Sequence, residues 1–153
     1  MIQQLPKEIC LEGWLGPTLF TPEVRDGELI KLGAFCSPLD GHELSNAFVI
    51  GSERETQDNT RTPYAAFCID QSTGSVHHVG LDPPYSVRFV NGCIGELVAS
   101  LQTVVAGWPL LKDSDDAAAT AALEHLRSKL AAVDPASMAD DDAFWPTVLE
   151  MCS

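Results

Sequence analysis

Apolar positions change their spacing near residue 90 of the chain. Before it they fall in short runs between turn-forming residues; after it they recur every three or four positions. The first part therefore predicts strands and the second predicts helices. Residues 1–22 are irregular, with Gly13, Gly16, Pro17 and Pro22 breaking up Trp14, Leu15, Leu19 and Phe20, and read as a packed leading segment. Residues 29–35 partly alternate and predict a short strand, and residues 44–50 predict a second. Residues 52–63 are wholly polar, so the expectation there is a solvent-exposed loop or strand extension that supplies no core. A loop of that length inside a compact domain is either functional or disordered.

The clearest local signal is a β-hairpin. Residues 64–70 and 75–81 are rich in aromatic and β-branched types, and Gln71-Ser72-Thr73-Gly74 lies between them. Asp70 and Ser72 can bond nearby backbone donors while Gly74 takes the positive φ that closes the turn, which reads Asp70 as a turn anchor rather than a catalytic acid. Pro83-Pro84 breaks the chain, and residues 85–90 offer one more strand. Strands joined by turns imply a largely antiparallel sheet.

Beyond Val90, Asn91 is placed to cap a helix whose stripe is Ile94, Leu97, Val98, Leu101, Val104 and Val105, with Trp108-Pro109 expected to end it. Asp115 and Asp116 lead into a second helix over 117–133, carrying Ala122, Leu123, Leu126, Leu130 and Val133 at helical spacing. Asp140, Asp141 and Asp142 lead into a short third helix over 143–151, with Pro146 tolerable in its first turn. The predicted fold class is α+β: a central, largely antiparallel sheet with helices packed at its edges and a helical C-terminal region. With no repeat and no linker-like stretch, residues 1–153 read as a single domain.

Charge narrows the function. Twenty-two acidic side chains against nine basic ones give a formal charge of −13. Such a field repels phosphate backbones and anionic lipid surfaces, so direct binding to nucleic acid or membrane is not expected, whereas encounter with a basic protein is accelerated. No uninterrupted apolar run approaches the roughly 18 to 20 residues that span a bilayer. The first residues lack the basic start, apolar stretch and cleavage site of a secretory signal, so the expected location is cytoplasmic. Five widely spaced cysteines, Cys10, Cys36, Cys68, Cys93 and Cys152, suit small buried hydrophobes in a reducing compartment rather than disulfides or a zinc site.

Candidate chemistry is sparse. The glycine-rich phosphate loops and the Gly-x-Ser-x-Gly elbow are missing from the sequence. His77 and His78 are adjacent on a predicted strand and must face opposite ways, so they cannot chelate one metal. The sharpest catalytic arrangement is Cys36 or Cys68 with His77 or His78, oriented by Asp70. Cys68, however, lies between Phe67 and Ile69 and reads as core rather than nucleophile. The expectation is no enzyme, no cofactor and no metal.

Phe67-Cys68-Ile69-Asp70-Gln71-Ser72-Thr73-Gly74-Ser75-Val76, then Val87-Arg88-Phe89-Val90-Asn91, then Leu97, resemble the SUKH superfamily, most closely its fourth family. That family carries a comparable Asp-x-x-Thr-Gly-x-Val hairpin and a Phe-Val-Asn lead into an apolar helix. The resemblance covers residues 19–105. Residues 112–153, with nine acids against three bases, stand outside it as an acidic helical extension. It implies an immunity protein made beside a secreted polymorphic toxin, which it neutralises by direct binding without catalysis. Toxins of that kind often act on nucleic acids, as nucleases or deaminases. The expected partner-binding residues are Glu53, Glu55, Asp58 and Arg61 in the polar stretch, with Tyr64, His78, Asp82 and Tyr85 nearby. Each has a plainer role open to it, solvation for the charges and cross-strand packing for the tyrosines. A regulatory adaptor of the same fold that binds several partners is the alternative, and the sequence leaves the oligomeric state open.

Overall fold

In a computed structural model the described residues are 2–11, 18–57, 60–113 and 115–152. Among them, six strands form one antiparallel sheet: β1 (Thr21–Pro22), β2 (Ile30–Lys31), β3 (Phe48–Gln57), β4 (Thr60–Ile69), β5 (Val76–Gly80) and β6 (Val87–Asn91). Their order is β1-β3-β4-β5-β6, with β2 also paired to β3. A short helix α1 (Leu32–Phe35) precedes β3, and α2 (Ile94–Asp113), α3 (Asp116–Val133) and α4 (Phe144–Met151) follow β6. This is the predicted α+β class.

Alternation along the strands builds two apolar layers. Phe67, Ile69, Val76 and Val90 face α2, α3 and α4, where Leu97, Leu101, Leu126, Leu130 and Trp145 complete the main core. Val49, Ala66, Cys68 and Val79 face the other way, beneath Leu32 of α1 and Leu39 of the turn after it. The register shift between Val49 and Gly51 brings Gly51 so close to Phe20 that a side chain there would land on the ring.

The hairpin forms as the sequence predicts. Asp70 Oδ1 accepts from the Ser72 amide at 2.8 Å and its hydroxyl at 2.7 Å, and Gly74 has a φ of 77°. Asp115 caps α3 by accepting from the Ala118 amide at 2.9 Å.

Five expectations are corrected. Residues 29–35 are a strand only at Ile30–Lys31, because the Leu32 amide turns to the Ala47 carbonyl at 2.9 Å and Gly33 to that of Ser45 at 3.0 Å, which starts α1. Residues 44–50 become strand only from Phe48, since a turn held by Leu44 donating to His42 Nδ1 at 3.0 Å precedes it. The polar stretch takes the strand-extension form of the two expected, but it is not solvent-exposed throughout. Its described part forms the facing ends of β3 and β4, and Ser52 and Glu53 are buried. Helix α2 continues past Pro109 to Asp113; proline costs one bond to the carbonyl of residue 105, on a side where Val105 and Leu110 are exposed. Of the five cysteines only Cys68 is buried, while Cys10 and Cys93 are exposed.

By length and composition Ile94–Lys112, at a mean hydropathy of 1.3, would suffice to cross a membrane. Within the fold, Leu97, Leu101 and Val104 of this helix are buried in the main core, and Glu96, Gln102 and Lys112 interrupt its apolar surface.

Candidate interaction surface

The two long strands β3 and β4 extend beyond the sheet as a two-stranded arm, and most of the expected partner-binding residues lie along or beside it. Glu53, Tyr64 and His78 converge. The Glu53 carboxylate accepts from the Tyr64 hydroxyl at 2.6 Å and bonds His78 Nε2, on the sheet face that carries Phe144. The Phe144 ring lies over His78 with centroids 4.8 Å apart. Burial, and then the neighbouring Glu53, hold the Tyr64 phenol well above its ordinary range, so it stays a donor at every physiological pH. The three polar groups satisfy one another. Together they fix the shape of the arm's root.

A second set of bonds pins the arm to the leading segment. Glu23 Oε1, buried, accepts from Ser52 Oγ at 2.6 Å and from Arg54 Nε at 2.8 Å, and pairs with the rest of that guanidinium. Arg54 Nη1 reaches the Arg61 carbonyl at 3.0 Å, while Arg61 itself pairs with Glu8 at 2.7 Å. The Arg61 guanidinium holds the Glu8 carboxyl below the usual carboxylate range. Glu55 is exposed on the same arm, and Asp58 lies outside the described residues.

The remaining two expected residues belong to the β5–β6 connection. Asp82 is exposed, its carbonyl accepting from the Tyr85 amide at 2.8 Å; Tyr85, at a φ of 54°, packs half-buried against the cluster of Val79 and Leu81. The structure thus joins Glu53, Tyr64 and His78 in one cluster and ties Arg61 to the chain's leading segment. Asp82 and Tyr85 lie in the turn that enters β6.

The geometry also tests the cysteine–histidine arrangement. His77 and His78 do face opposite ways, and His77 is the cross-strand neighbour of Cys68. Burial pushes the Cys68 thiol up to about 12, the reverse of what an activated nucleophile needs. Burial also lowers the His77 imidazole, against the opposing pull of Asp70 and then Glu43, and its Nδ1 has no partner among the described residues. Among the described residues no three His, Cys, Asp or Glu side chains are grouped to hold a metal.

A buried polar knot centres on Asn91. Asn91 does not cap α2. Its amide donates to Ser100 Oγ and Asp134 Oδ2, each at 3.2 Å, and its oxygen accepts from Trp145 Nε1 at 3.0 Å. Asp134 also takes the Gly92 amide at 3.0 Å and the Ala136 amide at 3.2 Å. Burial and then the nearby Asp134 raise the Glu96 carboxyl beside it. Asparagine before a helical stripe gives the same local signal whether it caps or turns inward.

A family model described as SUKH-4 immunity protein matches residues 5–151, a span that takes in α3 and α4. No curated protein matches the chain. No solved structure matches it.

Proposed function

The chain belongs to the SUKH-4 immunity protein family, and from that premise we propose that it neutralises a cognate toxin by binding the toxin domain directly, without catalysis. The observation that carries this reading is the family match across 5–151. Two features support the non-catalytic part: the buried, weakly acidic thiol of Cys68, and a Glu53 carboxylate whose two oxygens are engaged by Tyr64 and His78. The site of action is the cytoplasm of a bacterial cell that makes both proteins. The toxin is one that acts on nucleic acid, a nuclease or a deaminase, because such a domain must be basic where it holds phosphate and a chain of charge −13 meets it by electrostatic attraction.

The test is co-expression in bacteria with the C-terminal toxin domain of a large secreted protein encoded beside this chain, scored by growth and by co-purification. Rescue with a stable one-to-one complex is expected. Toxicity without rescue, or recovery of several unrelated proteins at modest affinity, would replace this reading with that of an adaptor.

A further inference from the structure

Among the described residues the sheet ends on β6, and the ladder beside it shows which way that strand's backbone points. Gly80 donates to the Ser86 carbonyl at 2.9 Å, and the register pairs Val79 with Val87 and His78 with Arg88. Hydrogen-bonded and open pairs alternate in an antiparallel ladder, so Arg88 bonds to β5 while the N–H and C=O groups of Val87 and Phe89 point away from the sheet. Leu81, one residue on from Gly80, donates at 3.0 Å to the Tyr64 carbonyl on the opposite side, as the alternation requires. Alongside this outer edge runs a groove of about 390 Å³, lined by Val87, Arg88 and Phe89 of β6 and by Ala136, Asp140, Asp142 and Ala143 of the segment that joins α3 to α4.

The two sides of the groove differ in chemistry. Val87 is 38% exposed and, with Phe89, lies on the face where Phe89 packs edge-on to His77 at 5.9 Å. Arg88 points to the opposite face, where its guanidinium is engaged by the Asp142 carbonyl at 2.6 Å. The exposed carboxylates of Asp140 and Asp142 flank the groove. A strand laid beside β6 would set alternate side chains next to Val87 and Phe89, and the others toward those aspartates.

We infer that the outer edge of β6 is a strand-addition site for an extended partner segment in which apolar and basic residues alternate. The edge follows from the ladder alone; that its occupant belongs to the toxin rests on the immunity reading. A second copy of this chain is the poorer occupant, because pairing two edges would bring together two molecules of charge −13 at their aspartates.

Two measurements decide it. The first titrates the protein with a Lys-Val-Lys-Val-Lys-Val peptide and with its Glu-Val counterpart, reading backbone amide exchange residue by residue. Exchange of the Val87 and Phe89 amides should slow at least about tenfold with the lysine peptide only, as expected when one backbone hydrogen bond forms per amide. Val87→Pro removes an outward N–H without breaking the β5 ladder and should abolish the effect at Phe89. Should that variant fail to fold, the Asp140→Asn, Asp142→Asn pair retains the local acceptors and should weaken the lysine peptide alone.

The second compares wild type and Val87→Pro against the neighbouring toxin domain, where affinity should fall at least about tenfold, the worth of one or two edge bonds. Unprotected amides with both peptides would overturn the inference. So would a toxin complex in which Val87 and Phe89 exchange as they do in the free protein, while leaving the immunity reading intact. Protection that appears without any partner and rises with protein concentration would give the edge to a second copy. Peptide protection without toxin rescue would sink the immunity reading and keep the edge.

Discussion

Glu53 is the residue on which the arm's geometry turns. Its carboxylate is the common acceptor for Tyr64 and His78, both partly withdrawn from water. Glu53→Ala leaves two polar groups unpaired and should cost roughly 1–3 kcal/mol, measured as a lower urea midpoint at unchanged m-value. Glu53→Gln keeps one acceptor and should fall between; an alanine variant as stable as wild type would show that the cluster contributes nothing. His77 gives a prediction in pH. Burial lowers its imidazole in the folded state, so between the ordinary value of about 6.5 and the depressed one the unfolded chain binds more protons. Stability is therefore full above about pH 6.5 and declines as the solution is acidified through that window. His77→Val should flatten the dependence of melting temperature on pH between about 7.5 and 5.5, and an unaltered slope would assign the loss to other groups. The opposition of His77 and His78 was legible in the sequence because strand alternation is a local rule. The meeting of Glu53 with His78 was not, since it depends on pairing across two strands.

Among elements, the Asn91 knot joins β6, α2, the turn after α3 and α4 through one buried side chain. Asn91→Ala strands the Trp145 N–H and withdraws a donor from Asp134, and a loss of at least about 2 kcal/mol is expected in chemical denaturation. A variant that loses less than about 0.5 kcal/mol would mean that water replaces the amide. Gly51→Ala tests the bulge in the same assay. A methyl there meets the Phe20 ring, and overpacking of this kind costs about 1–3 kcal/mol. Elements written by short-range pattern were legible: the 64–81 hairpin from its Asp70–Gly74 turn, and α3 from its stripe and Asp115 cap. Those decided by distant partners were not. Asn91 and Asp134 are 43 residues apart, and the burial of Ser52 and Glu53 depends on Glu23, Tyr64 and His78, so the polar run read as solvent-exposed.

For the whole molecule, the order of strands then helices followed from the change in apolar spacing, and the family followed from a few turn and strand residues. The surface that meets a partner carries no such local signature, because exposed acids look alike whether they solvate or bind. Charge offers a way to distinguish them. At −13 the chain attracts any basic partner at long range, and this acts on the encounter more than on the docked contacts. Raising salt from about 50 to 500 mM shortens the screening length from over 10 Å to under 5 Å, so the association rate should fall by on the order of tenfold or more while dissociation changes little. Replacing Asp140 and Asp142 by Asn should lower the salt slope, while the same change at Asp115 and Asp116, at the start of α3, should lower it less if the β6 edge is where the partner arrives. Stopped-flow association across that salt range checks both. A rate independent of salt would mean that the acidic surface serves solubility alone, and equal effects from the two pairs would locate the attraction in total charge rather than beside β6.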